Sequence, residues 1–269
     1  MAFRRGEPYV GFVAVAAGPL VREWRLRRGR SQMDLALNAG VSTRHLSFVE
    51  TGRAKASPEL LLTLSEHLEI PLRDRNTLLL AAGYAPRYAR TALDDQAMAR
   101  VRRTLQDLLD RHAPYPGVVI DRLWNLVLAN ESALRFVDGL PAELLGPPAN
   151  VFRVSLHPDG LASRTENFAE WAAYLLGQLH RLVLLTGDPE AIALEEEVTG
   201  YPNVKALGSW RQRAAPAADE PALLIPWRVR FGDTVHSYFT TLTSFGTPQD
   251  ITLAELAVEL FYPADDVTR

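Results

Sequence analysis

Thr43, Arg44, Ser47 and Phe48 sit close together in the stretch GVSTRHLSFVETGR, residues 40–53. If the stretch is helical, Leu46 and Val49 mark its inner face and these four side chains turn outward. A surface helix with nothing to read usually carries Lys and Glu there. The groups present instead suit the edges of base pairs. A guanidinium fork matches O6 and N7 of guanine. Ser and Thr hydroxyls serve several bases, and an aromatic ring or a Thr methyl packs against the thymine methyl.

The flanks supply a second chemistry. Gln32 stands at the first turn of the preceding helix, where it can donate to a phosphate beside exposed helix N–H groups. Arg53 and Lys55 follow the outward-facing helix and are placed for a phosphate backbone. Ser57 opens the next helix and can share its N-terminus with a phosphate. His45 is placed for backbone contact or for packing against the neighbouring helix. The plainer reading is an ordinary α-hairpin with Arg and Ser on its surface.

The elements that would hold these residues are short capped helices. The first, PLVREWRLRRG from residue 19, sets Leu20, Val21, Trp24 and Leu26 near one face and ends at Gly29. The next three open on Ser31, Ser42 and Ser57 as N-caps. Gly40 and Gly52 stop two of them, while Pro58 and Pro71 bracket the fourth. A fifth helix closes at Gly83. Five helices with very short links, and no strand-like alternation, predict an all-α domain over residues 18–83. Helix 31–39, a turn at Gly40–Val41 and helix 42–51 make a helix-turn-helix, whose second helix lies in the major groove of DNA.

Charge divides the chain the same way. The whole of its 269 residues carries a net charge of −3. Residues 1–90 hold 14 Lys+Arg against 8 Asp+Glu, a net of +6, whereas residues 91–269 hold 15 against 24, a net of −9. A basic first third joined to an acidic remainder predicts two domains with different partners.

The remainder is mixed. YAPRYARTALDDQ reads as a linker, followed by a linker helix over about 94–112 that Pro114 and Pro116 end. Val118–Ile120 and Trp124–Leu128 read as strands parted by a turn at Asp121–Arg122. Helical patterns follow at Glu131–Val137, Leu161–Thr186 and Pro189–Thr199, with Asn130 as a helix cap. Three strands come last, in ALLIPWRVRFG, VHSYFTTLTSFG and TLAELAVELFYP. The third alternates from Leu256 onward and is taken as a strand despite its helix propensity. This order predicts an α+β domain, an antiparallel sheet with helices over one face.

Several classes find no support. Cysteine is absent, so there is no disulfide framework and no thiolate site. No phosphate loop, nucleophile elbow or HExxH occurs, and the six His show no metal-ligand spacing. The run LEEEV, residues 194–198, reads as a solvated face. No enzyme activity, cofactor or metal is expected. The opening MAFRRGEPYVGFVAVAAGPL has a basic-then-apolar order, but Glu7 and Pro8 interrupt it, so it reads as an arm rather than a signal peptide. No apolar run approaches the ~20 residues of a membrane span, and a cytoplasmic location is expected.

The stretch SQMDLALNAGVSTRHLSFVETGRAKASPELLLTLSEHL resembles the Cro/repressor-type helix-turn-helix of the XRE regulators. The matching residues are Gln32, Ala36, Gly40, Val41, Ser42, Leu46, Glu50, Gly52, Arg53, Pro58 and Leu64. The resemblance implies that Glu50 bridges to a basic residue of its own domain rather than to DNA. A second resemblance runs through LLLAAGYAP, YPGVVIDRLWNLVLAN, HPDG and TLTSFGTPQDITLAELAVELFYPADD. These look like the MmyB-like regulators, in which a PAS-like ligand-binding domain follows the XRE domain. That resemblance implies a small apolar ligand, with fatty acids as one class.

The expected organisation is therefore a helix-turn-helix domain with its arm over 1–90, a linker helix over 91–113, and a PAS-like ligand-binding and dimerisation domain over 114–269. Trp124, Phe136, Phe152, Trp171, Tyr174, Trp227, Phe231, Phe239 and Phe245 are the aromatic candidates for a cavity wall, although any core uses such residues. His157 and Arg164 are candidates to pair with an acidic ligand, against the plainer roles of turn former and surface Arg. The expected function is a sequence-specific regulator, a homodimer on a palindromic operator in double-stranded DNA. The alternative is a constitutive DNA binder whose second domain serves only dimerisation.

Overall fold

The computed structural model describes residues 16–210 and 224–269. The expected arm over residues 1–15 and the start of the third-from-last strand, residues 222–223, lie outside them. The chain divides into two compact units between Ala89 and Arg90.

The first unit is all α, with α1 Ala17–Arg27, α2 Gln32–Asn38, α3 Thr43–Glu50, α4 Pro58–His67 and α5 Leu72–Ala81. Each serine cap forms as expected. Ser31, Ser42 and Ser57 accept from the backbone N–H groups of Asp34, His45 and Leu60 at 3.1, 3.1 and 3.2 Å, each bond stabilising its helix by about 1 kcal/mol. Val21, Trp24, Leu35, Leu46, Val49, Leu61, Leu64 and Leu78 form one buried core. One feature of this core was not foreseen. A Cβ on Gly18 would lie 2.1 Å from the carbonyl oxygen of Val49, so α1 meets the end of α3 at a distance that only glycine permits.

The second unit begins with α6, Ala99–Arg111, preceded by a 3₁₀ turn. Its sheet comprises β1 Gly117–Ile120, β2 Leu126–Ala129, β3 Trp227–Phe231, β4 Thr234–Ser244 and β5 Ala257–Pro263, in the order β2-β1-β5-β4-β3 with every pair antiparallel. Between β2 and β3 run α7 Glu131–Leu134, α8 Val151–Leu156, α9 Phe168–Thr186, α10 Pro189–Thr199 and α11 Pro202–Lys205; α12 Ile251–Glu255 precedes β5. Antiparallel pairing and the β-β-α…β-β-β order agree with the sequence reading.

Four details differ. The sheet is covered on both faces. Helix α6 packs Leu105 and Leu109 against Val119 and Val258, so the helix read as a linker is part of the second unit's core. The other helices pack on the opposite face around Phe152, Trp171, Leu175 and Trp227. Trp124 lies before β2 rather than in it, with φ 63°, because the Asp121 carboxylate accepts from the N–H groups of Leu123 and Asn125, each at 2.9 Å, and closes a turn there. The segment Leu161–Thr186 breaks after a 3₁₀ turn, and α9 starts only at Phe168. Lastly, TLAELAVELFYP holds both structures, one helical turn and then a strand.

Asn130 does more than cap α7. It is buried, accepts from the N–H groups of Ala133 and Gly117 at 2.9 and 3.1 Å, and donates to the carbonyls of Leu109 and Tyr115 at 3.0 and 2.9 Å. One amide thus ties the end of α6, the start of β1 and the start of α7. The LEEEV run is not simply a solvated face either. Glu195 pairs with His180 at 2.7 Å, and Glu197 takes both nitrogens of the Arg153 fork at 2.8 and 2.7 Å.

Candidate nucleic-acid interface and cavity

In α3, Leu46, Val49 and Glu50 are buried, while Thr43 and Arg44 are exposed and Ser47 and Phe48 half-buried. The turn before it depends on Gly40, whose φ of 67° is costly for any side chain. The Arg44 guanidinium lies 5.4 Å from the centroid of the Phe48 ring. This one-turn stack presents the fork and the ring as a single outward unit. The four residues singled out for base contact are therefore brought to one exposed face of α3.

The inner side of the helix is held by charge. Arg25 of α1 donates from Nε to Oε1 of Glu50 at 2.6 Å and from Nη2 to Oε2 at 2.9 Å. Its Nη1 reaches the carbonyl of Arg30 at 2.9 Å. Burial alone would raise the Glu50 carboxyl, but hydrogen bonds from Arg25 and Gln32 outweigh it and hold the group below its usual range. Glu50 thus bridges to a basic residue of its own unit, and that residue is Arg25. Gln32 is drawn into the same brace, donating from Nε2 to Glu50 Oε2 at 2.7 Å.

The flanking candidates are arranged around this face. The Arg53 side chain is exposed, with its backbone N–H fixed by the Phe48 carbonyl at 2.7 Å. Lys55 is exposed and lies 4.7 Å over the ring of Tyr84, whose hydroxyl donates to the Ala56 carbonyl at 3.0 Å. Ser57 is exposed and spends its oxygen on the cap. Arg28, just past α1, donates to the carbonyls of Leu68 and Glu69 past the end of α4.

The second unit contains a cavity of about 290 Å³ between the sheet and α7, α8 and α9. Phe136, Trp171 and Trp227 stand in its wall. The other candidates from sequence are placed elsewhere. Phe152 is wholly buried in the core against Trp124, 4.8 Å between ring centroids. Phe231 packs against Phe136, with ring centroids 4.8 Å apart and the rings tilted by 32°. Phe239 pairs with Tyr262 at 5.3 Å, on the sheet face that α6 covers. Strand alternation decides that: neighbours on β4 point to opposite faces, so Tyr238 joins the cavity-side core and Phe239 cannot.

His157 and Arg164 prove to hold turns. His157 Nδ1 accepts from the Asp159 N–H at 3.1 Å, and its ring meets Tyr201 edge-on. Arg164 donates to the carbonyls of Phe136 and Asp138 at 3.2 and 2.9 Å. Neither stands in the cavity wall. The polar groups in that wall are Asn150, Ser155 and Glu259, which the sequence reading missed. A signal was present. In AVELFYP the residues of one alternation phase are Ala257, Glu259 and Phe261, and a carboxylate amid an apolar strand marks an inward face with something to meet.

Among the described residues no group of His, Asp and Glu could hold a metal ion, and no helix is long and apolar enough to cross a membrane.

A capped helix-turn-helix with an outward reading face defines the first unit as that of a DNA-binding regulator. The helix-turn-helix family model matches residues 21–74, and the model for the MmyB-like transcription regulator ligand binding domain matches residues 101–269. The second match spans more than half of the chain, which therefore belongs to the MmyB-like transcription regulators. No curated protein matches it. Both families are those of transcription regulators.

Proposed function

We propose that the protein is a cytoplasmic, sequence-specific regulator that reads duplex DNA with α3 and holds a small, largely apolar molecule in its PAS-like second unit. The observation that supports the first half is the contrast between the faces of α3. One is locked by Leu46, Val49 and the Arg25–Glu50–Gln32 brace; the other presents Thr43, Arg44, Ser47 and Phe48. A rigid inner face keeps the outer one in register with base edges. Arg44 takes guanine, with Phe48 beside it for a thymine methyl. Arg53 and Lys55 take phosphates, together with the α4 N-terminus that Ser57 caps and the side-chain amide N–H of Gln32 that Glu50 does not use. The cavity supports the second half, since small-molecule sites are concave and mostly apolar with a few polar groups. As a homodimer the protein would span two half-sites about one helical turn apart. A ligand would change DNA binding by favouring one of two states.

Selection of bound sequences from random duplex DNA tests this directly. A palindrome with half-sites about 34 Å apart is the expected product; recovery of no enriched sequence would overturn sequence-specific reading. Arg44→Ala is expected to weaken specific binding by about 1–3 kcal/mol and to relax preference at one base pair. An unchanged base preference would remove Arg44 from the groove. Arg53→Ala should weaken binding to all sequences alike and lower the salt slope by about 1. A change in base preference on that substitution would contradict a phosphate contact.

A further inference from the structure

The cavity wall has one titratable side chain. Glu259, on β5, is 2% exposed and faces the cavity beside Phe261. Its strand neighbours Val258 and Leu260 point the other way, toward α6. The Thr240 hydroxyl donates to its carboxyl, and Tyr174 of α9 bonds to the same hydroxyl. The wall contains no Lys, Arg or His. Its remaining polar groups, Asn150 and Ser155, belong to α8 and the residue that caps it. The Asn150 amide is already committed, donating to Leu123 and Asn125 and accepting from Phe152 and Arg153. Glu259 and the Ser155 hydroxyl are thus the polar contacts left for a guest, and of the two only Glu259 can carry charge.

A carboxylate in such a place selects by charge. Burial without a cation disfavours its ionised form and pushes the carboxyl up to about 7. A guest with its own carboxylate would bring a second acceptor and a second negative charge into an apolar space, with no cation to offset either. A guest with an ammonium or hydroxyl head would donate to Glu259, and an ammonium would also neutralise it. The outer wall includes Leu134, 48% exposed, and the half-buried Leu145 and Ala149. The polar anchor therefore lies inside and the apolar rim outside, an arrangement that draws a head group inward.

We propose that the ligand of the second unit is an apolar molecule with a hydrogen-bond-donating head, a primary amine above all, which docks on Glu259. The proposal rests on the reading of this unit as a ligand holder and names the ligand's chemistry within it.

Three probes of one chain length test it: dodecylamine, dodecanol and dodecanoate, each below self-association, titrated calorimetrically into the full-length protein stripped of lipid at pH 7.5. Dodecylamine is expected to bind tightest, at least about tenfold tighter than dodecanoate, with dodecanol between them. Glu259→Gln, checked for native circular dichroism, should lose about tenfold or more for the amine and change little for the alcohol. Dodecanoate binding as tightly as the amine would overturn the proposal while leaving the ligand-holding reading intact. Amine affinity that survives Glu259→Gln would also overturn it, because the acidic surface of this unit would then account for the binding. Binding of none of the three would overturn both readings. If the variant fails to fold, the ranking on the unsubstituted protein decides the matter by itself.

Discussion

Arg25→Ala is expected to destabilise the first unit by about 3–5 kcal/mol, much of what a domain of this size has. The side chains of Arg25 and Glu50 are 8% and 0% exposed, and they share two hydrogen bonds. Removing Arg25 leaves the Glu50 carboxylate buried with Gln32 as its hydrogen-bond donor and only the more distant charge of Arg22 to offset it, a poorly compensated charge away from water. An exposed ion pair would lose under about 1 kcal/mol, so the two cases are separable. Trp24, the only tryptophan in the first 90 residues, reports unfolding of this unit in urea. Replacing both partners, Arg25→Met with Glu50→Leu, should recover most of the loss, because apolar groups of similar size fill the site without leaving a charge. A loss below about 1 kcal/mol for Arg25→Ala would show that the brace contributes little. The sign of the pH effect follows from the lowered Glu50 carboxyl. Its contribution is present above the unfolded value near 4.5 and is lost as pH falls through the lower folded value.

The opposite dependence is expected of the second unit. Glu259 is held up to about 7 by burial, with the Thr240 hydroxyl bond acting against the rise and the Tyr174 hydroxyl also nearby. Between roughly pH 4.5 and 7 the unfolded chain loses a proton that the folded protein keeps. Stability is therefore full below that window and falls across it. A carboxyl moved from 4.5 to about 7 corresponds to about 3 kcal/mol at pH 8. Glu259→Gln removes the titration. The ligand-free variant should match the unsubstituted protein near pH 5 and exceed it by about 3 kcal/mol at pH 8, read by thermal unfolding of the second unit. Parallel pH profiles for the two proteins would contradict a buried, cation-free carboxylate.

The first unit was almost wholly legible because its information is local. A helix needs a cap, a periodic apolar face and a stop, and each lies within about ten residues. Ser31, Ser42 and Ser57 therefore marked the true starts, and Gly40 and Gly52 the ends. Gly18 was not legible, because its role depends on a carbonyl 31 residues away. The brace was half legible: the family resemblance implied a basic partner for Glu50, and packing chose Arg25 from among four arginines on α1 and its end.

The second unit was legible as elements but not as a site. Strand alternation states that neighbouring residues face opposite ways; it does not state which faces are covered. With α6 on one side and α7 to α11 on the other, both phases of β5 became interior, and the apolar phase read from sequence was the one facing away from the cavity. Phe239 fell on that side for the same reason, whereas Phe136 and Trp171 fell on the cavity wall. His157 and Arg164 were fixed by turns whose geometry no spacing rule encodes. By itself the sequence determined the helix ends of the first unit, the outward face of α3 and the charge division, all consequences of residues near one another in the chain. Tertiary structure alone decided the partner of Glu50, the walls of the cavity and the burial of Glu259, since burial and charge pairing depend on which distant segments close over a residue.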